Sequence, residues 1–289
     1  MYERICSLGL PFIILFNVIS SVMQAYGDSK TPMYTVLIAC IFNIAFDFLL
    51  AGVFKLEVTV FAIATTLAQM ISSIIGYILL KKKNYLLIET DEKIKPSKTE
   101  MKKNISVGLP IALQDMLISV SFMILTSIAS LRSLDSLTAV GVVEKIIMFM
   151  FILPSSMLSA LSAFTAQNYG AGKSERAKEA LRWGIIICVS FGSLMCLMSE
   201  IMPNTLARIF LKDEEVIKVA STYLRSYSID CILVGFTFCM NGYLCGINKS
   251  IVTSIHNVIS IFLVRISAAY LFSKYFKDTM FPMGLASPL

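Results

Sequence analysis

Charge is what this sequence lacks most. Only 15% of its 289 residues are Asp, Glu, Lys or Arg, against about 25% in ordinary soluble domains. A surface so poor in charge excludes a soluble globular domain, and with it a soluble catalytic module. Histidine is nearly missing. His256 stands alone, which leaves a membrane-embedded zinc protease without enough ligands. The seven cysteines, Cys6, Cys40, Cys188, Cys196, Cys231, Cys239 and Cys245, all fall in apolar stretches, and none forms a Cys-x-x-Cys pair. Neither a disulfide framework nor a zinc cluster is expected. The start Met1-Tyr2-Glu3-Arg4 has no basic segment, and no small-residue cleavage site follows the first apolar run, so no signal peptide is read. The net charge of +6 sits mostly in loops, where it orients a membrane protein, and no nucleic-acid partner is read from it.

Hydrophobic residues make up 56% of the chain, and the mean hydropathy is +0.76. Apolar stretches at 5–27, 31–54, 58–80, 104–130, 136–166, 181–201, 223–246 and 251–273 approach or exceed the roughly 20 residues that cross a hydrocarbon core of about 30 Å. A ninth run begins at Phe281. The expected fold class is an all-α polytopic membrane protein. Residues 81–103 carry eight lysines and four acids and read as a cytoplasmic linker. The expected division is therefore 1–80, the linker 81–103, and 104–289. Alternation then places Lys30, Lys173, Arg176, Lys178, Arg182 and Lys249 in the cytoplasm and the amino terminus outside.

A repeat accounts for that unusual start. Tyr2-x-Arg4 recurs as Tyr223-x-Arg225 and Gly27-x-x-Lys30 as Gly246-x-x-Lys249, at offsets of 221 and 219. If the first span corresponds to the seventh, the unit is six helices in parallel topology. A complete molecule would then hold 12, and this chain would be a fragment truncated at both ends, holding about helices 4 to 11.

Ionisable groups inside spans cost about 2.5 to 3.5 kcal/mol each on insertion scales, so each needs a reason. Asp47 lies about eight residues, or roughly 12 Å, from the outer end of the second span. Asn43 sits one turn away on the same face. The two offer oxygens to a proton or sodium ion; the alternative is an acid hydrogen-bonded to a neighbouring helix. Glu144, Asp230 and Arg265 share one depth in three later spans. This suggests a common polar pocket, with a static ion pair of either acid with Arg265 or Lys145 as the other reading. Asp115, beside Gln114 at mid-depth, cannot snorkel to water; it lines a wet cavity or carries a proton. His256 reads as a packing residue. Pro11, Pro110 and Pro154 lie within spans and are candidate hinges.

These residues resemble a known family. Tyr2-x-Arg4-Ile5, Gly9-Leu10-Pro11, Gly27-Asp28-Ser29-Lys30-Thr31-Pro32-Met33, Asn43 with Asp47, and Ala62-Ile63-Ala64-Thr65 before Gln69 resemble the fourth to sixth helices of multidrug and toxic compound extrusion (MATE) transporters. Ala166-Gln167-Asn168-Tyr169-Gly170-Ala171-Gly172-Lys173, followed by Glu175-Arg176-Ala177, resembles their loop between helices eight and nine. Val264-Arg265 resembles the eleventh helix. The resemblance implies part of a two-lobe, 6+6 helix bundle whose central cavity opens alternately to either side of the inner (plasma) membrane. It implies a monomer that exports drug-like cations in exchange for Na+ or H+, with no other cofactor.

The resemblance also implies an amino-terminal cation site at Asn43, Asp47, Thr65 and the Phe61 carbonyl. One further acid of that site belongs to a first helix that these residues do not include. In some relatives the other lobe binds the ion through a helix-seven glutamate and a helix-ten acid. Asp230 resembles the latter, while no glutamate stands on the helix-seven equivalent, where Asp115 is the nearest acid and Glu144 lies one helix later. Both lobes thus remain candidates for coupling. Gln69, Gln114, Tyr227 and Arg265 are the polar side chains expected at the substrate cavity. The rival readings are a lipid-linked saccharide flippase of the same superfamily and a non-functional fragment. A flippase cavity should be rich in Arg and Lys, whereas these spans hold mainly acids.

Overall fold

The computed structural model describes residues 2–53, 59–83, 97–276 and 279–287. All regular elements among them are helices. Six are long and apolar enough to cross a membrane, and the number rises to eight if each of two bent helix pairs is one span. Contacts divide the chain into two compact units, Met1–Lys95 and Pro96–Leu289.

The first unit holds α1 (Tyr2–Ala25), α2 (Lys30–Asp47), which continues through a π-helical turn at Phe48–Val53, and α3 (Thr59–Lys82). Ile19, Met23 and Leu80 pack between α1 and α3. Gly76 permits the approach, since a Cβ there would meet Ile19 at 3.3 Å. Between α1 and α2, Gly27 adopts φ +82° and the Asp28 amide donates to the Met23 carbonyl, a helix stop that favours glycine. The Asp28 carboxylate then caps α2, accepting from the Thr31 amide at 3.0 Å.

The second unit comprises α4 (Lys98–Ser130), α5 (Leu134–Met150), α6 (Ile152–Gly170), α7 (Ser174–Ile201), α8 (Pro203–Arg208), α9 (Glu214–Ser228) and α10 (Asp230–Gly246). It continues with α11 (Ser250–Ile259), a π-helical turn at Ser260–Ile266, α12 (Ser267–Tyr275) and α13 (Phe281–Gly284). Its main core joins the end of α4 to α5, α9 and α13 through residues such as Leu125, Val143, Ile217, Leu224 and Met283. Glycines let α10 lie against its neighbours: a Cβ on Gly235 would stand 2.9 Å from the Cys188 backbone of α7, and one on Gly242 would stand 2.5 Å from the Leu158 carbonyl of α6. Small residues at such crossings allow the dense packing that joins helices where burial from water supplies little force.

The hydrophobic runs mark the spans but not their full geometry. Helices α4 and α7 begin earlier than the apolar runs because their first turns, Lys98 onward and Ser174 onward, are charged yet helical. The linker expected over 81–103 is helical at both ends, and its residues 84–96 lie outside the described ones. The single run 136–166 is two helices meeting at 44° around Phe151. Pro154 explains that break, since it lacks an N–H and its ring crowds the carbonyl four residues back, at Met150, where α5 ends. By contrast Pro11 and Pro110 sit inside α1 and α4, which run on as helices. A second bend of 41° separates α9 from α10, so the expected span 223–246 begins earlier, at Glu214, and is broken at Ile229 without any proline.

The structure also corrects the register of the repeat. Asn248 adopts a left-handed φ of 59° and Lys249 donates to the Leu244 carbonyl at 2.8 Å, reproducing the turn at Gly27 and Asp28. The counterpart of Gly27 is therefore Asn248, at the offset of 221 that relates Tyr2 to Tyr223. Gly246 is not that counterpart. Both α2 and α11, the helices that follow these turns, run into a π-helical turn.

Candidate functional site

Two polar clusters lie within the spans, one in each unit. In the first unit, Asn43 and Asp47 stand one turn apart on α2, and Thr65 of α3 meets Asn43. The Asn43 amide approaches Thr65 Oγ1 at 3.5 Å, and that hydroxyl donates to the Phe61 carbonyl at 2.8 Å. Asn43, Thr65 and Phe61 thus meet at one place. Asp47 Oδ1 is buried and has no hydrogen-bond partner among the described residues. Leaving a buried carboxylate oxygen unpaired costs several kcal/mol at least. The π turn starts at the next residue, Phe48, and such turns recur at functional sites. Carboxylate, amide, hydroxyl and carbonyl oxygens are the ligands a hard cation takes. Gln69, one turn beyond Thr65 on α3, is half-buried.

In the second unit the cluster is built from five elements. Arg265, within the π turn after α11, places its guanidinium 4.5 Å from the Phe122 ring centre, and its Nη2 donates to the Tyr227 hydroxyl at 2.9 Å. Its Nε is buried without a partner. Glu144 of α5 receives a long hydrogen bond, 3.4 Å, from Thr126 Oγ1. Asp230 is the first residue of α10, a helix position that favours negative charge. It accepts from Ser287 Oγ at 2.7 Å.

Tyr227 and Arg265 are thus brought into direct contact, while Glu144 and Asp230 bond to Thr126 and Ser287 instead. Among the described residues, neither acid forms a direct salt bridge with Arg265 or Lys145. Lys145 is exposed. Asp115 stays apart, exposed on α4. Its neighbour Gln114 instead lines an apolar recess of about 440 Å³ between α4 and α11, with Leu113, Leu117, Ile255 and Val258. His256 is exposed on its unit rather than packed. Phe122, Thr126 and Ser287 were missed by sequence reasoning. The four-residue spacing of Phe122 and Thr126 on α4 is the one signal that could have paired them, while nothing local marks Ser287.

Comparison with known proteins places this geometry in context. A family model described as MatE matches residues 110–271, and one described as lipid II flippase MurJ matches residues 4–123. The probable multidrug resistance protein YoeA of Bacillus subtilis (strain 168) is 24% identical over 284 residues, an alignment covering 96% of this chain and 61% of that protein. The probable multidrug resistance protein NorM of Thermotoga maritima is 23% identical, with 96% of this chain and 60% of that protein covered. A solved MOP superfamily transporter from Pyrococcus furiosus superposes with a TM-score of 0.92 at 21% identity, over 99% of this chain and 64% of that one. This chain therefore spans about three fifths of the length of the relatives it matches.

Proposed function

Because the chain belongs to the MatE family, we propose that the complete protein is a secondary antiporter that exports drug-like, mainly cationic organic compounds across the plasma membrane in exchange for Na+ or H+. The observation that carries the coupling part of this reading is the buried, unpaired Asp47 Oδ1, one helical turn from Asn43, whose amide meets Thr65 and, through it, the Phe61 carbonyl. A carboxylate with one oxygen buried and unpaired is stabilised by a cation from outside, and a conformer that binds the cation better is populated in proportion to that preference. Loading at Asp47 favours the outward-releasing state, and unloading on the other side restores the drug-accepting state. The transporter works as a monomer and needs no cofactor beyond the coupling ion.

Asp47→Asn in the complete gene product tests this directly. Reconstituted in vesicles, the variant should insert normally yet lose ion-driven export of a cationic dye. Undiminished export would refute the assignment.

A second reading, transport of a lipid-linked saccharide, is favoured by the match of residues 4–123 to a flippase model. Against it stands the charge of the spans, where Asp47, Asp115, Glu144 and Asp230 outnumber Arg265 and Lys145. The same vesicles assayed with a fluorescent polyprenyl-linked saccharide separate the two.

A further inference from the structure

We propose that the second unit carries a headgroup site for an anionic phospholipid, at the end of the bundle where α4 and α12 finish and α5 and α9 begin. The site shares no residue with the Asp47 cluster, and its test does not depend on transport.

Two recesses meet at Arg132, in the short connection after α4. One, of about 400 Å³, is lined also by Lys218 of α9 and by Thr279. The other, of about 470 Å³, is lined also by Tyr270, Ser273 and Lys274 of α12 and by Leu131. Arg132 Nη2 donates to the carbonyls of Phe276 at 2.9 Å and Thr279 at 3.1 Å, which holds the guanidinium between the two recesses. Among the described residues no acid lines either one, and Lys277 and Asp278 of the adjoining chain add one charge of each sign.

The other groups here are donors in search of an acceptor. Arg208 and Arg225, cations at the same end, are paired with Glu214 and Glu200. Lys218 and Lys274 have no ion-pair partner among the described residues. The hydroxyls of Tyr270 and Ser273 make no hydrogen bond among those residues, and that of Thr279 only accepts, from the Phe281 amide. Ammonium and hydroxyl donors converging without a carboxylate suit the oxygens of a phosphate.

The place of the recesses selects a lipid as the source of that phosphate. Helices α4 and α12 close the spans Met101–Ser130 and Ser250–Tyr275, so the recesses lie at headgroup depth. Leu131, Tyr275 and Phe276 stand exposed beside them, apolar and aromatic side chains that suit the upper part of an acyl chain. One span separates this end from the lysine-rich linker, so alternation predicts the opposite side of the membrane for it, where few cations are expected. Unpaired cations gathered there need a reason, and an anionic headgroup between helix ends supplies one.

Native mass spectrometry of the purified complete gene product, released from vesicles of equal phosphatidylglycerol and phosphatidylcholine, tests the proposal. The wild type should retain phosphatidylglycerol at least about tenfold more often than phosphatidylcholine. The double variant Lys218→Gln, Lys274→Gln should lose that preference. The control pair Arg208→Gln, Lys212→Gln removes the same charge from the same end outside the recesses and should keep it. Equal retention of the two lipids by the wild type would overturn the proposal, and so would equal loss in both variant pairs, which would mean a general attraction of charge. Inorganic phosphate in excess should not displace the lipid, because it cannot use Leu131 and Tyr275; displacement would assign the recesses to a soluble anion instead. If the double variant does not fold, the single substitutions decide: a lowered preference in either supports the site, and an unchanged one in both ends it.

Discussion

Asp47 and Arg265 show how differently one spacing argument succeeds at the level of single side chains. Asn43 and Asp47 are legible as a pair because four residues is nearly one helical turn, and an acid within a span is conspicuous by its cost. That Thr65 of α3 meets Asn43 depends on how α2 and α3 cross, which composition and periodicity do not encode; only the family resemblance pointed there. Glu144, Asp230 and Arg265 were readable by depth for the same reason as Asp47. Phe122, Thr126 and Ser287 were not, because aromatic and hydroxyl side chains enter spans at little cost and so raise no flag. The Thr65 contact yields a graded prediction. Its Oγ1 touches Asn43 and donates to the Phe61 carbonyl, so Thr65→Val removes one oxygen from the site and leaves the shape nearly intact. A hydrogen-bonding oxygen is worth about 1 to 1.5 kcal/mol, so the concentration of coupling ion giving half-maximal dye export should rise by roughly tenfold. Thr65→Ser should restore it. An unchanged half-saturation in Thr65→Val would remove the hydroxyl from the ligand set.

Among the elements, the eight spans were legible because a bilayer demands long apolar runs, and the run lengths alone supply them. The bends were only partly legible. Pro154 signals the one at Phe151 through its missing N–H, while the one at Ile229 carries no such mark and places Asp230 at the start of a helix instead of in the middle of one. Glycines conceal a further feature. Gly242 looks like a weak helix former in the sequence, yet a Cβ there would collide with the Leu158 carbonyl of α6, a backbone atom that cannot swing aside. Gly242→Val should therefore separate α10 from α6. Overpacking of this kind costs about 1 to 3 kcal/mol, or about 2 to 10 °C in melting temperature for a chain of this size. Gly141→Ala is the control, since a Cβ at Gly141 meets nothing within 4 Å. Thermal melting of both variants in the same detergent checks the contrast, and equal melting temperatures would mean that the α6 and α10 crossing has room to spare.

For the molecule as a whole, charge decides orientation. The residues joining α3 to α4 hold the densest block of lysines in the chain, and a block of that kind resists translocation, which predicts the cytoplasmic side for it. The turn between α6 and α7 and the first turns of α7 carry Lys173, Arg176, Lys178 and Arg182 and lie an even number of spans from that linker, so the same rule predicts the cytoplasmic side for them too. The two segments constrain each other, because an odd number of spans between them would set one of them outside. A cysteine introduced at Lys95 and another at Lys178, each in a background free of native cysteine, should both be blocked by a membrane-impermeant maleimide only after the cells are opened. Leu131→Cys, in the short connection between α4 and α5, should react in intact cells. Labelling of Lys95→Cys from outside would invert the whole arrangement and carry Asp47 to the opposite half of the membrane.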